Sequence, residues 1–136
     1  MSYWQNQLAD IPDQIQLPTD KVRPQQLSYR GKSHSITLSK DIRDKLVTFS
    51  TKAGTSMFMT MMAIFQTLLH KVTNQDDIIV GTPIAGRHYK EIEHLIGFFV
   101  NTLPIRTKFT EKKAGDETKI QTFEDILEQV KNTTLD

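Results

Sequence analysis

Between Phe58 and Val72, apolar side chains recur at the spacing of one helix face. Phe58, Met61, Phe65, Leu68 and Val72 form a stripe, and Met62, Ile64 and Leu69 widen it. A stripe that wide asks for cover on more than one side, so the segment predicts a buried helix inside a layered domain. Met and Phe at this spacing also suit a groove for an apolar ligand, but core packing is the ordinary cause of the pattern. Thr55 or Ser56 supplies the N-cap.

The flanking segments predict the layers. Ser33 to Leu38 alternates polar and apolar residues, with His34, Ile36 and Leu38 on one side, as a strand does. Ser39 is a good N-cap and Asp41 sits in the first turn, where the helix dipole favours an anion. Ile42, Leu46 and Phe49 then share a face, and Gly54 is a fitting stop. The β-branched run Ile78 to Val80, between Asp77 and Gly81, reads as a buried strand. Glu91 to Leu95 reads as a short helix. Phe98 to Lys108 reads as a second strand, with Pro104 placing it near an edge or a bulge. Thr110 to Lys119 is a polar loop. Thr122 with Asp125 three residues on makes a partial capping box for a last helix, whose apolar face is Phe123, Ile126, Leu127 and Val130. Ahead of all this, Tyr3 to Leu8 reads as the end of a helix, and Pro12, Pro18 and Pro24 make Asp10 to Pro24 a linker. The order β-α-α-β-β-α implies an α/β layer structure with helices packed on a sheet.

At 136 residues the chain fits one domain or one lobe of a larger one. A formal charge of +1 gives no electrostatic reason to expect nucleic acid or an anionic membrane as partner. The absence of cysteine removes disulfides and thiolate chemistry and is compatible with the cytoplasm, the expected location. No apolar run approaches the ~20 residues that span a bilayer.

Few residues suggest chemistry. His34, His70, His88 and His94 have no zinc-helix spacing and no cysteine to help, so no metal site is expected. Nothing assigns a general base to any of the four. Gly81-Thr82-Pro83 followed by Gly86-Arg87 reads as a strand end with a turn, or as a place where small residues let a thin substrate pass close to the backbone. The segment lacks the Gly-Lys-Ser/Thr or Rossmann pattern of a phosphate loop. Arg87 is a planar cation suited to a carboxylate, or a solvated arginine. Asn101, inside an apolar run, either satisfies backbone at a strand irregularity or lines a channel, and Arg106 has the same two readings. Lys112 and Lys113 read as solvated loop residues.

Two segments carry a family resemblance: VGTPIAGR, Val80 to Arg87, and IGFFVNTLPIR, Ile96 to Arg106. In that order they resemble the second half of a nonribosomal peptide synthetase condensation domain. Tyr3-Trp4 with Gln7-Leu8 looks like that family's inter-lobe segment, Leu17 to Asp20 with Arg23-Pro24 like the stretch just after it, and Phe58 to Leu69 like its long buried helix. The resemblance implies a two-lobed chloramphenicol-acetyltransferase-like fold of which this chain is most of the C-terminal lobe. It divides the chain into an inter-lobe helix end and linker over 1–27 and a partial lobe over 28–136.

The implied activity is amide bond formation between carrier-bound acyl groups, with donor and acceptor entering the inter-lobe cleft on phosphopantetheine arms. The family's catalytic signature, His-His-x-x-x-Asp-Gly, occurs nowhere in these residues, and Met1-Ser2 reads as the start of an excised segment. No catalytic residue and no bound cofactor are therefore expected here. The implied partners are the first lobe, peptidyl carrier domains and an adjacent adenylation domain, with self-association of the isolated piece. Gly81, Thr82, Pro83 and Asn101 resemble cleft or channel lining. Arg87 is the candidate for the arginine that pairs with the signature's structural Asp. The Val-Asn-Thr-Leu-Pro run at 100–104 looks like the condensation version rather than the epimerization one, while a heterocyclization domain stays open. A non-enzymatic lobe that docks carrier domains is the reading from a different class.

Overall fold

The computed structural model describes residues 2–22, 24–26, 28–87, 89–109 and 121–135, with only the backbone of Ser2. Arg23, His88 and the polar segment 110–119 with Lys112 and Lys113 lie outside the described residues. The elements are α1 (Ser2–Gln7), α2 (Lys40–Lys52), α3 (Met57–Thr73), β1 (Asp77–Ile84), a 3-10 turn (Lys90–Ile92), β2 (Asn101–Lys108) and α4 (Phe123–Leu135).

Local chemistry sets the helix ends. The Ser39 hydroxyl accepts from the Ile42 amide at 3.3 Å and starts α2. The helix ends where Gly54 adopts φ +62°, a left-handed conformation that glycine takes without strain. The Thr55 amide then donates to the Ser50 carbonyl and the Gly54 amide to the Thr51 carbonyl, the Schellman pattern. Ser56 caps α3 through the Met59 amide. Thr122 caps α4: its hydroxyl accepts from the Asp125 amide, and the Asp125 carboxylate accepts from the Thr122 amide. Hydroxyls also join α2 to α3, with Ser50 Oγ 2.7 Å from Thr60 Oγ1.

β1 and β2 pair antiparallel, from Asp77 opposite Lys108 to Ile84 opposite Asn101. Opposed residues share a face, so Ile78, Val80, Thr82 and Ile84 line up with Thr107, Ile105, Leu103 and Asn101. The inner half of this face packs on α3 and α4. Met59, Ala63, Ile105, Ile126, Leu127 and Val130 form the core, with Phe49, Met62, Phe109 and Phe123 around it. Gln66, fully buried on α3, donates to the Ile105 carbonyl at 2.8 Å and accepts from the Thr107 hydroxyl at 2.8 Å, which fastens β2 to the helix. On the opposite face of the ribbon, Leu8, Ile11 and Pro12 border the same groove as Ile79 and Pro104, so the segment leaving α1 runs along that face.

Two expectations are corrected. Ser33 to Leu38 forms no strand: residues 28–39 carry no helix or strand, and Ile36 and Leu38 are exposed. Period-two alternation describes an extended segment, but only a hydrogen-bonded neighbour makes a strand, and the described sheet holds only β1 and β2. The observed order is therefore α-α-α-β-β-α rather than one opening on a strand. The stripe of α3 is also not the buried face. Phe58, Met61, Phe65, Leu68 and Val72 are 40–55% exposed, and Ile64 is exposed as well. The face that packs is Met59, Thr60, Ala63 and Gln66, whose small and hydrogen-bonding side chains let the sheet and α4 approach closely.

Candidate functional site

The two motif segments meet at the outer end of the ribbon. Register places Gly81 opposite Pro104, Thr82 opposite Leu103, Pro83 opposite Thr102 and Ile84 opposite Asn101. Gly81, Thr82, Pro83 and Asn101 thus come together, although far apart in sequence. They do not share a face. Thr82 and Asn101 point to the side of the ribbon that packs on α3 further in, and Gly81 and Pro83 to the opposite side. Gly81, Pro83 and Asn101 are exposed and Thr82 is half-buried. The Asn101 side-chain oxygen accepts from the amide of Thr102 at 2.8 Å, a local bond that ties it to no other element.

The chain between the strands is held against itself. Gly86 has φ +63°, and a Cβ there would lie 2.1 Å from the carbonyl oxygen of Phe99, so the turn after β1 packs backbone to backbone on the approach to β2. Arg87 lies over the Phe99 ring, 4.4 Å from its centroid, a cation–π arrangement. Its Nη1 donates to the carbonyls of Ile92 and Glu93. Arg87 is half-buried and braces the loop. In the segment leading to β2, Leu95, Ile96, Phe98 and Val100 are exposed.

Arg106 stands at the other end. Its side chain is 4% exposed, and Nε and Nη2 both bond the Asp77 carboxylate. The hydrogen bonds it donates to Asp77 outweigh the burial, so the guanidinium pKa is raised above its ordinary value and the group stays charged. Sequence reasoning did not find Asp77 as the partner. The pairing follows from the register, which the structure supplies: Asp77 and Arg106 are diagonal neighbours on one face of an antiparallel pair. Gln66 was also missed, although a lone glutamine in an apolar helical run marks a buried amide with partners to find.

The described histidines stand apart. His34 and His94 are exposed. The His70 ring stacks on Phe109 at 4.2 Å, with Nδ1 3.0 Å from the Gln75 carbonyl oxygen. Among the described residues no group of three or more potential metal ligands occurs, and no helix is long and apolar enough to cross a membrane. The arrangement offers a wall of strand backbone, small side chains and an amide. Among the described residues it offers no base poised against a nucleophile.

The family model for the condensation domain matches residues 1–136, and the chain belongs to that family. It is 42% identical, over its whole length, to a linear gramicidin synthase polypeptide of Brevibacillus parabrevis, and 38% identical to gramicidin S synthase 2 of Brevibacillus brevis over 98% of its length. It spans 2% and 3% of those relatives, respectively. Among solved structures, it superimposes on a four-domain nonribosomal peptide synthetase bound to AMP and glycine with a TM-score of 0.86 at 27% identity, covering 98% of this chain and 10% of that one. It superimposes on the X-domain from teicoplanin biosynthesis with a TM-score of 0.84 at 25% identity, covering 98% of this chain and 28% of that one. Condensation domains of nonribosomal peptide synthetases are a peptide-bond-forming family, and the α/β fold with a small antiparallel sheet is the one seen here.

Proposed function

We propose that these residues are the greater part of the C-terminal lobe of a condensation domain, with 1–27 as inter-lobe segment and linker. In this reading the lobe supplies one wall of the cleft in which carrier-bound aminoacyl or peptidyl thioesters are joined. The base comes from the first lobe, since no two histidines are adjacent in this sequence. The observation that carries the reading is the pairing of the two motif segments into one ribbon end, with Gly81, Thr82, Pro83 and Asn101 gathered there. An extended substrate arm needs backbone close by and few bulky side chains, and an exposed amide gives it a donor and an acceptor. Arg87, held in one place by Phe99 and two carbonyls, is the proposed partner of the structural Asp of the first lobe. Phosphopantetheine arms belong to the carrier domains, and the parent protein works in the cytoplasm beside an adenylation domain.

Asn101 provides the test. Its side chain is exposed and bonded only to the next amide, so Asn101→Ala should lower stability by less than about 1 kcal/mol. If the amide positions a substrate, turnover of the complete domain should fall by about 10- to 100-fold. Turnover unchanged beside an unchanged melting temperature would remove Asn101 from the site.

A further inference from the structure

Arg106 is the only charged residue among the buried ones described. A guanidinium has five N–H donors, and here all three nitrogens are engaged. Nε faces the two oxygens of Asp77, and Nη2 is shared between Asp77 and the Asp10 carbonyl at 2.9 Å. Nη1 donates to the carbonyls of Gln7 at 2.8 Å and Ala9 at 2.7 Å. Those three carbonyls close α1 and begin the linker. Gln7 is the last residue of α1, whose carbonyl the helix itself leaves unbonded, and the Ala9 and Asp10 carbonyls belong to the turn that follows. A six-residue helix has little stability of its own, so its place is set by what holds it. Asp10 at φ 50° marks the chain turning at this point. A side chain this enclosed and this fully bonded has nothing left for a substrate.

We propose that Arg106, oriented by Asp77, is a latch that fixes the path of residues 7–10 across the outer face of the ribbon. Resting on the reading that α1 belongs to the inter-lobe segment, the latch makes Arg106 a positioning residue for condensation. It sets how the first lobe sits over the wall formed by the ribbon end, and it acts without touching the substrate. The same bonds exclude Arg106 as a lining residue of the channel.

The test uses the complete condensation domain carrying these residues. Arg106→Lys keeps the charge and loses the fork. Asp10→Pro leaves the buried pair intact but forbids the positive φ, so it strains the same segment from the other side. Amide hydrogen exchange is read at Leu8 and Ala9, whose amides donate to the Trp4 and Asn6 carbonyls, and within α3 and α4, and steady-state condensation is read across carrier-substrate concentration. In both variants exchange at Leu8 and Ala9 should rise by about tenfold or more while α3 and α4 keep their protection. In both, kcat should fall by about 10- to 100-fold with KM changed less than about twofold. Unchanged exchange at Leu8 and Ala9 overturns the latch whatever the turnover does. Exchange rising equally in α3 and α4 overturns it as well, by reducing Arg106 to a general stabiliser. Loosened Leu8 and Ala9 with unchanged kcat overturn the positioning role. A wild-type domain without condensation activity would instead defeat the functional reading and leave the exchange result standing.

Discussion

Gln66→Leu should be among the most damaging single changes in α3, although it trades a polar residue for an apolar one of similar size. Gln66 is fully buried, and its amide serves two groups of β2, the Ile105 carbonyl and the Thr107 hydroxyl, each at 2.8 Å. Leucine serves neither. The Ile105 carbonyl keeps its ladder bond to Val80, the hydrogen-bonded partner in the register, so the Thr107 hydroxyl is the group left without a partner. A buried polar group so stranded costs about 1–3 kcal/mol, which is the expected loss. That is a sizeable part of the ~5–15 kcal/mol that holds a typical domain. Thr107→Val alone strands the Gln66 oxygen and should cost about 1–3 kcal/mol. Joined to Gln66→Leu it removes a group already stranded, so the double variant should lose about 1–2 kcal/mol less than the sum of the singles. Urea unfolding, with a check that the slope is unchanged, reads all four corners of the cycle. A Gln66→Leu variant within about 0.5 kcal/mol of the parent, or strictly additive losses, would refute the claim that this amide fastens the ribbon to the helix.

Two further changes probe the ribbon end and the exposed face of α3. Gly86→Ala places a Cβ against the Phe99 carbonyl in a left-handed backbone, so it should lower stability by at least about 1–2 kcal/mol and loosen the loop braced by Arg87, seen as a lower melting temperature. The isolated chain should self-associate through Phe58, Met61, Phe65 and Leu68, and Phe65→Glu with Leu68→Lys should weaken the association about tenfold or more in sedimentation across a concentration series. Association unchanged by that pair would place the contact elsewhere.

Much of the fold could be read from the sequence because its signals are local. Ser39, Gly54, Ser56 and Thr122 mark helix ends by hydrogen bonds within a few residues, and Ile78 to Val80 and the run ending at Lys108 are strands by composition. The errors fall where the answer depends on neighbours distant in sequence. The alternation at Ser33 to Leu38 could not say whether a strand lay beside it. In α3 two arcs could both face a core, and the arc with the larger apolar residues is the exposed one, because the close approach of β2 and α4 needs Ala63, Thr60 and Gln66. At the ribbon end, the motifs gave the residues but not the register that divides Gly81 and Pro83 from Thr82 and Asn101. Arg106 was readable as a polar group in an apolar run, but Asp77 and the α1 carbonyls reach it only through tertiary structure.

The central claim is that this lobe forms a wall of a condensation site and takes its base from elsewhere. Dipeptidyl product formation, followed by mass spectrometry with donor and acceptor carrier domains both loaded, tests it most directly. The chain alone should give no product above the carrier-only background, because it lacks paired histidines, and the complete condensation domain containing these residues should give product. Turnover by the chain alone, or none from the complete domain with both carriers loaded, would contradict the account.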